Sequence, residues 1–216
     1  MTKKIKVAIA EDHDMVRQGM VSLLKLEEEL DVVFDVANGQ ELLDRLKDEP
    51  VDILLLDLDM PVMSGEKALP IISEEYPHMG IIIVSMHYVT DLIYRCVALG
   101  AKGFLPKQSN FELVIDAIHS VIDKGFYFDS MITQTLLTEI RKGKLGNEEE
   151  VALTAREEEI IELVCQGKRN KEIADALFVS QRTVEGHRRN ISEKTQTDNA
   201  VELVIYALKK GIHKLV

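Results

Sequence analysis

Five residues whose side chains suit phosphate and metal chemistry each lie at the end of a short apolar run. They are Glu11, Asp12, Asp57, Ser85 and Lys107. Carboxylates that share one place raise one another's pKa unless a cation neutralises them, and oxygen ligands of this kind select a hard cation such as Mg²⁺. An aspartate beside that cation can attack phosphorus and form an aspartyl phosphate, whose oxygens a lysine and a hydroxyl can hold. These residue types therefore predict phosphoryl transfer to a carboxylate.

Asp57 has the clearest setting of the five residues. It follows Ile53–Leu56, an aliphatic run with the length of a strand that is buried on both faces of a parallel sheet. Met60–Pro61 prevents a smooth continuation of that strand, and Ser64–Gly65 provides a turn before the next helix. Because ligands bind at the carboxyl edge of open α/β sheets, Asp57 is the predicted phosphate acceptor.

A strand pattern followed by a helix pattern recurs five times in the first 122 residues. Strands are predicted at residues 4–10, 32–36, 53–56, 80–85 and 104–107, and helices at 15–26, 40–47, 66–75, 90–99 and 111–122. This alternation predicts a five-stranded, doubly wound parallel sheet. The ends of strands one, three, four and five meet at one edge of such a sheet, which would bring the five residues together.

These motifs resemble the receiver domain of bacterial two-component response regulators. The resemblance is carried by Glu11-Asp12, Asp57 with Met60-Pro61 and Gly65, Ser85, and Phe104–Lys107 after Gly100–Gly103. It implies a flavodoxin-like fold in which Asp57 accepts phosphate from a cognate sensor histidine kinase. It also implies that Mg²⁺ is held by Glu11, Asp12, Asp57 and the backbone carbonyl of Asp59. Ser85 and the switch aromatic Phe104 would move together on phosphorylation.

Two further expectations concern the neighbours of this pocket. Glu11 stands where many family members have aspartate, which allows a metal contact through water. Asp59 and His87 lie two residues beyond Asp57 and Ser85, and we hypothesise that they tune the attack of water on the phosphoryl group. His13 is expected to be a partly exposed loop histidine without a role.

The C-terminal part of the chain has helical patterns only. Thr154–Glu157 has the form of a capping box, and Gly167 is placed to end the first helix. Asn170 is expected to cap a short helix to Leu177, and Ser180 a longer one to about residue 194. A fourth helix is predicted at residues 199–210.

Residues 170–191 have the layout of a helix-turn-helix with its turn at Phe178-Val179. At 100° per residue, Val184, His187 and Ile191 fall on the buried face of the second helix. The opposite face carries Arg182, Gly186, Arg189 and Glu193, flanked by Glu185 and Asn190. A glycine inside a helix costs about 1 kcal/mol relative to alanine. This is easier to understand if the backbone at Gly186 must come close to DNA.

Side-chain chemistry divides the candidate DNA contacts into two sets. Arg189 can pair with guanine, Asn190 with adenine and Glu185 with the amine of cytosine. Phosphate contacts, which position the protein without reading sequence, are expected from Lys171, Thr183 and Arg188. Asn170, Arg182 and Gly186 complete the predicted DNA-binding set.

The same segment resembles the LuxR-type DNA-binding domain of the NarL/FixJ class, over roughly residues 153–208. The matching motifs are Leu153–Glu157, Gly167, Asn170–Ile173 and Thr183-Val184. The resemblance implies binding to double-stranded DNA. Glu185 and Lys194-Thr195 depart from the usual pattern, which leaves base preference open.

Composition divides the chain in the same way. Residues 1–150 carry 15 Lys and Arg against 27 Asp and Glu, whereas residues 151–216 carry 11 against 10. The acidic part should repel nucleic acid, so DNA binding falls to the C-terminal part. We predict a receiver domain at 1–123, a helical and polar linker at 124–150, with a helix at 130–141, and a four-helix DNA-binding domain at 151–216.

The surroundings of the protein can also be predicted. Cys96 and Cys165 are far apart and lack ligand spacing, which favours free thiols in a reducing cytosol. No run of residues predicts a signal peptide or a membrane span, so a cytoplasmic protein without membrane contact is expected.

The combined prediction is a phosphorylation-controlled transcription factor rather than an enzyme. Two copies would form a homodimer when phosphorylated and sit on half-sites about one DNA turn apart. The last helix, through Val201, Val204, Ile205 and Leu208, either contributes to that dimer or packs onto the helix-turn-helix.

Two alternatives remain open at this point. Asp57-Leu-Asp59 also looks like the Asp-x-Asp of haloacid-dehalogenase-type phosphatases, in which Asp57 would be the nucleophile and Asp59 the general acid. The chain could also be a DNA-binding regulator that works without phosphorylation.

Overall fold

The structure is a computed structural model that describes residues 4–129, 132, 152–197 and 200–213, with the side chains of residues 201, 208 and 209 left out. These residues form two compact units: residues up to 122 with 126–128, and residues 123–125 with those from 129 onward. The predicted helix at 130–141, apart from Ile132, and the polar stretch at 142–150 lie outside the described residues. The three predicted domain boundaries remain a prediction.

The first unit is a five-stranded, all-parallel sheet with helices between its strands, which confirms the predicted fold class. The strands are β1 (Ile5–Ala10), β2 (Leu30–Val36), β3 (Ile53–Leu56), β4 (Gly80–Ser85) and β5 (Gly103–Pro106). The helices are α1 (Asp14–Leu24), α2 (Gly39–Leu46), α3 (Gly65–Glu75), α4 (Thr90–Ala98) and α5 (Phe111–Lys124). The strand order β2-β1-β3-β4-β5 makes β3, which ends before Asp57, the central strand.

Burial explains why β3 is aliphatic throughout. All four of its residues are buried, because helices cover both faces of a doubly wound sheet. Ile53 and Leu55 belong to the same core cluster as Val7 and Ile9 of β1 and residues of α1 and α5. This packing holds the end of β3 rigidly, and with it the position of Asp57.

Helix α1 forms where a helix was predicted, and it buries only part of its apolar side chains. Val21 and Leu24 face the core, whereas Val16 and Leu23 are 38% and 40% exposed. Helical spacing predicts the helix, but it does not decide which of the overlapping apolar stripes is buried.

From residue 152 onward, the described residues of the second unit form four helices, as predicted. They are α6 (Ala155–Cys165), α7 (Asn170–Ala176), α8 (Gln181–Thr195) and α9 (Ala200–Lys209). Their shared core is built from Ile160, Ile161, Val164, Ile173, Ala174, Val184, Ile191, Leu203 and Ala207. None of the helices in the described part of the chain is long and apolar enough to cross a membrane.

Local signals set the ends of these helices. The capping box is present: Glu157 N donates to Thr154 Oγ1 at 3.3 Å, and Thr154 N donates to Glu157 Oε2 at 2.8 Å. Ser180 caps α8 by accepting from Thr183 N at 3.1 Å. The turn between α7 and α8 places Phe178 in the left-handed region, with φ 54°.

The prediction that Asn170 caps α7 was wrong. Arg169 occupies the cap position, and Asn170 is the first helical residue. The physical reason is that Glu172 reaches back and accepts a hydrogen bond from Arg169 N at 2.8 Å, so the helix starts one residue earlier than expected.

Candidate functional site

The register of the sheet brings the predicted phosphate-binding residues to one edge. Ala10 of β1 pairs with Leu56 of β3, and Asp57 N donates to Ala10 O at 2.9 Å. On the other side of β3, Lys107 N donates to Ser85 O at 2.9 Å, directly after β5. The carboxyl ends of β1, β3, β4 and β5 therefore each deliver one part of a single pocket.

Lys107 ties the two buried carboxylates of this pocket together. Its Nζ atom lies 2.9 Å from Asp57 Oδ2 and 2.8 Å from Glu11 Oε2. The three side chains are 7%, 1% and 2% exposed respectively. This arrangement joins side chains from three of the four strand ends, and it leaves one lysine cation facing two buried carboxylates.

The electrostatics of the pocket follow from that burial. Burial raises the pKa of Asp57, and the hydrogen bond from Lys107 offsets part of the rise. Burial alone would lower the pKa of Lys107, but hydrogen bonds to Glu11 and Asp57 outweigh it and raise the pKa overall. Asp57 is therefore a carboxylate with a raised pKa held next to a protonated lysine, which suits a nucleophile.

The residues present fit a divalent cation. Ligand atoms of Glu11, Asp12, His13 and Asp57 all lie within 4.8 Å of one another. Asp12 Oδ1 is shielded from solvent and accepts no well-directed hydrogen bond from the described residues, although His13 Nδ1 is 2.8 Å away. A buried carboxylate oxygen without a donor is suited to a hard cation. Glu11 and Asp12 thus lie where the predicted metal site requires them.

His13 and Arg17 also belong to this pocket and were missed by the sequence-based prediction. His13 Nδ1 lies 3.0 Å from Glu11 Oε1, with the histidine side chain 65% exposed. Arg17 donates to Glu11 O at 2.7 Å and to Asp35 Oδ2 at 3.0 Å. The available signal was proximity, since both residues follow Glu11-Asp12 within one helical turn.

Ser85 and Phe104 lie behind the pocket. Both are completely buried, and Ser85 Oγ accepts a hydrogen bond from His87 N at 3.1 Å. The Phe104 ring packs edge-on against Tyr88, with 5.6 Å between ring centroids. Tyr88 is a further neighbour that the sequence did not single out.

Asp59 and His87 lie at the mouth of the pocket, as their spacing suggested. His87 Nε2 is 3.7 Å from Asp59 Oδ2, and both side chains are 68% exposed. Asp59 N donates to Asp57 Oδ1 at 3.3 Å. The metal contact predicted for the carbonyl of Asp59 remains a prediction.

The predicted reading face of α8 is exposed. Val184 and Ile191 are fully buried and His187 is half-buried, whereas the opposite face points into solvent. That exposed face carries Arg182, Thr183, Glu185, Gly186, Arg189 and Asn190. A Cβ atom added at Gly186 would meet nothing within 4 Å, so packing inside the protein gives no reason for a glycine there.

The three remaining DNA-contact candidates, Lys171, Arg188 and Asn170, differ in exposure. Lys171 is exposed on α7. Arg188 is half-buried and donates from Nη1 to Asn170 Oδ1 at 2.7 Å. Arg188 and Asn170, which were predicted as separate DNA contacts, thus bind one another.

Comparisons with known proteins identify the families that the two parts of the chain match. The response regulator receiver domain matches residues 7–119, and the luxR family of bacterial regulatory proteins matches residues 151–207. Oxygen regulatory protein NreC of Staphylococcus haemolyticus is 35% identical over 96% of this chain and 99% of its own length. Transcriptional regulatory protein LnrK of Bacillus subtilis is 32% identical over 96% of this chain and 98% of its own length.

A solved structure supports the same relationship. The RcsB response regulator of Salmonella typhimurium superposes with a TM-score of 0.57 at 25% identity, covering 95% of this chain and 98% of that one. The relatives are an oxygen regulatory protein and a transcriptional regulatory protein, so these matches support the response-regulator interpretation over the phosphatase alternative. The chain belongs to the response regulators that join a receiver domain to a LuxR-type DNA-binding domain.

Proposed function

We propose that Asp57 is phosphorylated by a sensor histidine kinase and that its phosphorylation controls dimerisation and DNA binding by the C-terminal unit. The observation that carries the proposal is the buried bridge of Lys107 between Asp57 and Glu11, at 2.9 and 2.8 Å. A lysine that already holds the acceptor carboxylate is placed to hold the phosphoryl oxygens once they arrive.

Each residue of the pocket has a separate part in the transfer. An oxygen of Asp57 forms a bond to phosphorus as the bond from phosphorus to the kinase histidine breaks, and the released imidazole takes up a proton. Lys107 stays paired with the new negative charge, and the Ser85 hydroxyl donates to a phosphoryl oxygen. Bound Mg²⁺, held by Glu11, Asp12, Asp57 and the carbonyl of Asp59, would supply neutralising charge for the phosphoryl oxygens.

The change is carried away from the pocket by Ser85 and Phe104. Movement of the Ser85 hydroxyl toward the phosphoryl group frees space behind it, and the ring of Phe104, packed on Tyr88, follows. Phosphorylation on this view shifts the populations of two states and does not create a new fold.

The output is binding of a homodimer to double-stranded DNA. Arg189, Asn190 and Glu185 read base edges from the exposed face of α8, while Arg182, Thr183 and Lys171 position it on phosphates. Relatives support this proposal: one RcsB structure contains two dimers bound to two DNAs, and another contains RcsB bound to a promoter with a phosphomimetic.

Stoichiometric labelling tests the phosphorylation step. Incubation of the full chain with acetyl phosphate and Mg²⁺ should add one phosphoryl group, seen by intact mass, and Asp57→Asn should take up none. Asp59→Asn is the matched control, because it changes a neighbouring exposed carboxylate, and it should still be labelled. Labelling that persists in Asp57→Asn, or steady turnover of a phosphate ester, would contradict the proposal.

DNA binding is measured in the same samples. The phosphorylated chain should bind selected DNA more tightly than the untreated chain. Equal affinity in the two states would instead support a regulator that works without phosphorylation.

A further inference from the structure

Arg188 occupies an unusual place for a residue that contacts DNA. It lies four residues after Val184, so it is rotated by only about 40° from that buried residue of α8. Arg182, Gly186 and Arg189 lie on the far side of the same helix. The guanidinium of Arg188 therefore points back toward α7, away from the proposed reading face.

No acid among the residues that the structure describes forms a salt bridge with Arg188. Within the part of the chain that the structure describes, its one hydrogen-bond partner is Asn170 Oδ1, at 2.7 Å, and it takes part in no salt bridge. Burial lowers the pKa of the guanidinium from its usual value. Burying a charge that has no opposite charge beside it costs free energy. A neutral residue could make a merely structural contact here without that cost.

The chemistry of the two groups decides how Asn170 is oriented. A guanidinium group has donors only, so the amide must turn its oxygen toward Arg188. The NH₂ group of the same amide then points the other way, with its donors available. Asn170 is half-buried at the start of α7, next to the exposed cation Lys171. An oriented pair of N–H donors beside a lysine suits a DNA phosphate oxygen.

We infer that Arg188 is a positioning residue, which holds the amide of Asn170 so that Asn170 donates to a DNA phosphate, and that Arg188 itself contacts no phosphate. This inference rests on the proposed DNA binding and changes the role first predicted for Arg188. It adds a specific link between the two helices of the motif: the recognition helix fixes a phosphate contact that belongs to α7.

Salt dependence separates this role from a direct phosphate contact. The probe is a duplex selected from random-sequence DNA by the phosphorylated full chain. Each cationic side chain that neutralises a phosphate adds about 0.9 to the slope of log affinity against log salt. Arg188→Met should weaken binding about ten- to a hundredfold, the effect of one lost hydrogen bond to a charged group, with no change in slope. The matched control Lys171→Met should lower the slope by about 0.9.

A map of individual phosphates tests the link to Asn170. Duplexes that carry one neutral methylphosphonate at a time are bound by the unchanged protein, Asn170→Ala, Arg188→Met and Lys171→Met. A methylphosphonate at one particular position should weaken binding by the unchanged protein. The same substitution should have no effect on binding by Asn170→Ala or by Arg188→Met. Lys171→Met should keep its sensitivity at that position. Loss of stability alone would weaken binding to every duplex equally and would leave this map unchanged.

Several outcomes would overturn the inference. A salt slope reduced by about 0.9 in Arg188→Met would show that Arg188 contacts a phosphate directly. The same conclusion would follow if the methylphosphonate effect at the mapped phosphate disappears in Arg188→Met but persists in Asn170→Ala. If Arg188→Met does not fold, as judged by thermal unfolding, Arg188→Gln is measured in its place: its neutral NH₂ group can still donate to Asn170 Oδ1, so the salt slope should stay unchanged, whereas loss of a direct phosphate contact would lower it by about 0.9. If the unchanged chain shows no salt-dependent DNA binding at all, the proposed function itself fails, which is a separate result.

Discussion

At the scale of single residues, the loop after Asp57 contains a strained position. Val62 has φ 63° at the centre of a γ-turn, in which Met63 N donates to Pro61 O at 2.7 Å. Its side chain is 85% exposed, so packing does not compensate for the strain. A β-branched residue in the left-handed region is disfavoured by about 1–2 kcal/mol. The loop that bears the proposed phosphate acceptor therefore keeps a conformation that its sequence disfavours locally.

Replacing Val62 should stabilise the receiver unit. Val62→Gly removes the strain but adds freedom to the unfolded chain, so the expected gain in unfolding free energy is up to about 1 kcal/mol. Urea denaturation of the full chain measures it. Val89→Gly is the matched control, because Val89 is exposed with φ −121° and has no strain to lose. A loss of stability in both variants would contradict this explanation.

Asp59 and His87 provide a second prediction at this scale. Their contact at 3.7 Å lies at the open side of the pocket, where water must approach the phosphoryl group. If Asp59 orients that water, Asp59→Ala and His87→Ala should both lengthen the lifetime of the phosphorylated chain. The lifetime is measured from the rate at which the phosphoryl label is lost. Asp91→Ala, an exposed acid on α4, should leave the lifetime unchanged. Unaltered lifetimes in both pocket variants would exclude the hypothesis.

At the scale of secondary-structure elements, α8 combines a buried stripe with an exposed face that includes a glycine. Two glycines in helices of this chain have open space around them, Gly186 in α8 and Gly19 in α1. Alanine at either position should favour the helix by about 1 kcal/mol. The two positions differ only in what is proposed to approach them, which makes them a matched pair.

The pair gives a test of the DNA interface. Gly186→Ala should raise stability and weaken DNA binding, because the added methyl group would stand between the helix and the groove. Gly19→Ala should raise stability to a similar extent and leave DNA affinity unchanged. Thermal unfolding and DNA titration of both variants measure the two effects. Unchanged DNA affinity in Gly186→Ala would mean that the backbone there does not approach DNA closely.

The contact between α6 and α8 predicts a pH dependence. Lys194 Nζ donates to the buried Glu157 Oε2 at 2.7 Å. This hydrogen bond is the main reason that the pKa of Glu157 is lowered to about 2, and the hydrogen bond from Thr154 N is the second. A carboxyl group whose pKa is lowered by folding adds stability that is complete above its unfolded pKa of about 4.3 and disappears as the pH falls to about 2. The second unit should lose stability across that interval.

Glu157→Gln should remove this part of the pH dependence. Urea dependence of hydrogen exchange, resolved by peptide, follows α6 and α8 separately from the first unit. Glu158→Gln is the control, since Glu158 is exposed in the same turn of α6. An equal loss of stability on acidification in Glu157→Gln and the unchanged chain would contradict the assignment.

At the scale of the whole molecule, the proposed activity depends on two copies acting together. Two-fold symmetry places two recognition helices on half-sites about 10 base pairs apart, on the same side of the duplex. Inserting about 5 base pairs between selected half-sites should abolish binding by the phosphorylated chain, because it rotates one half-site to the opposite face. Inserting about 10 base pairs should restore part of it. Insensitivity to both insertions would indicate binding as a monomer.

Much of this organisation could be predicted from the sequence because the local signals agree with the global fold. The ends of β3 and β4 were predicted without error, since their aliphatic runs have the length of strands and end in polar residues. The Thr154 and Ser180 caps were predicted for a similar reason, because a cap acts within four residues. The error at the start of α7 arose where two local signals competed, the cap preference of Asn170 and the hydrogen bond from Arg169 N to Glu172.

What the sequence determined by itself is the set of chemical groups and the order of the elements that hold them, since both depend on residue type and short-range spacing. Only the tertiary structure decided which groups meet. It joined Lys107 to Glu11, 96 residues away, at 2.9 Å, and it turned Arg188 toward Asn170. Strand register and helix rotation control such contacts, and both are determined by packing over the whole core, which no local pattern contains.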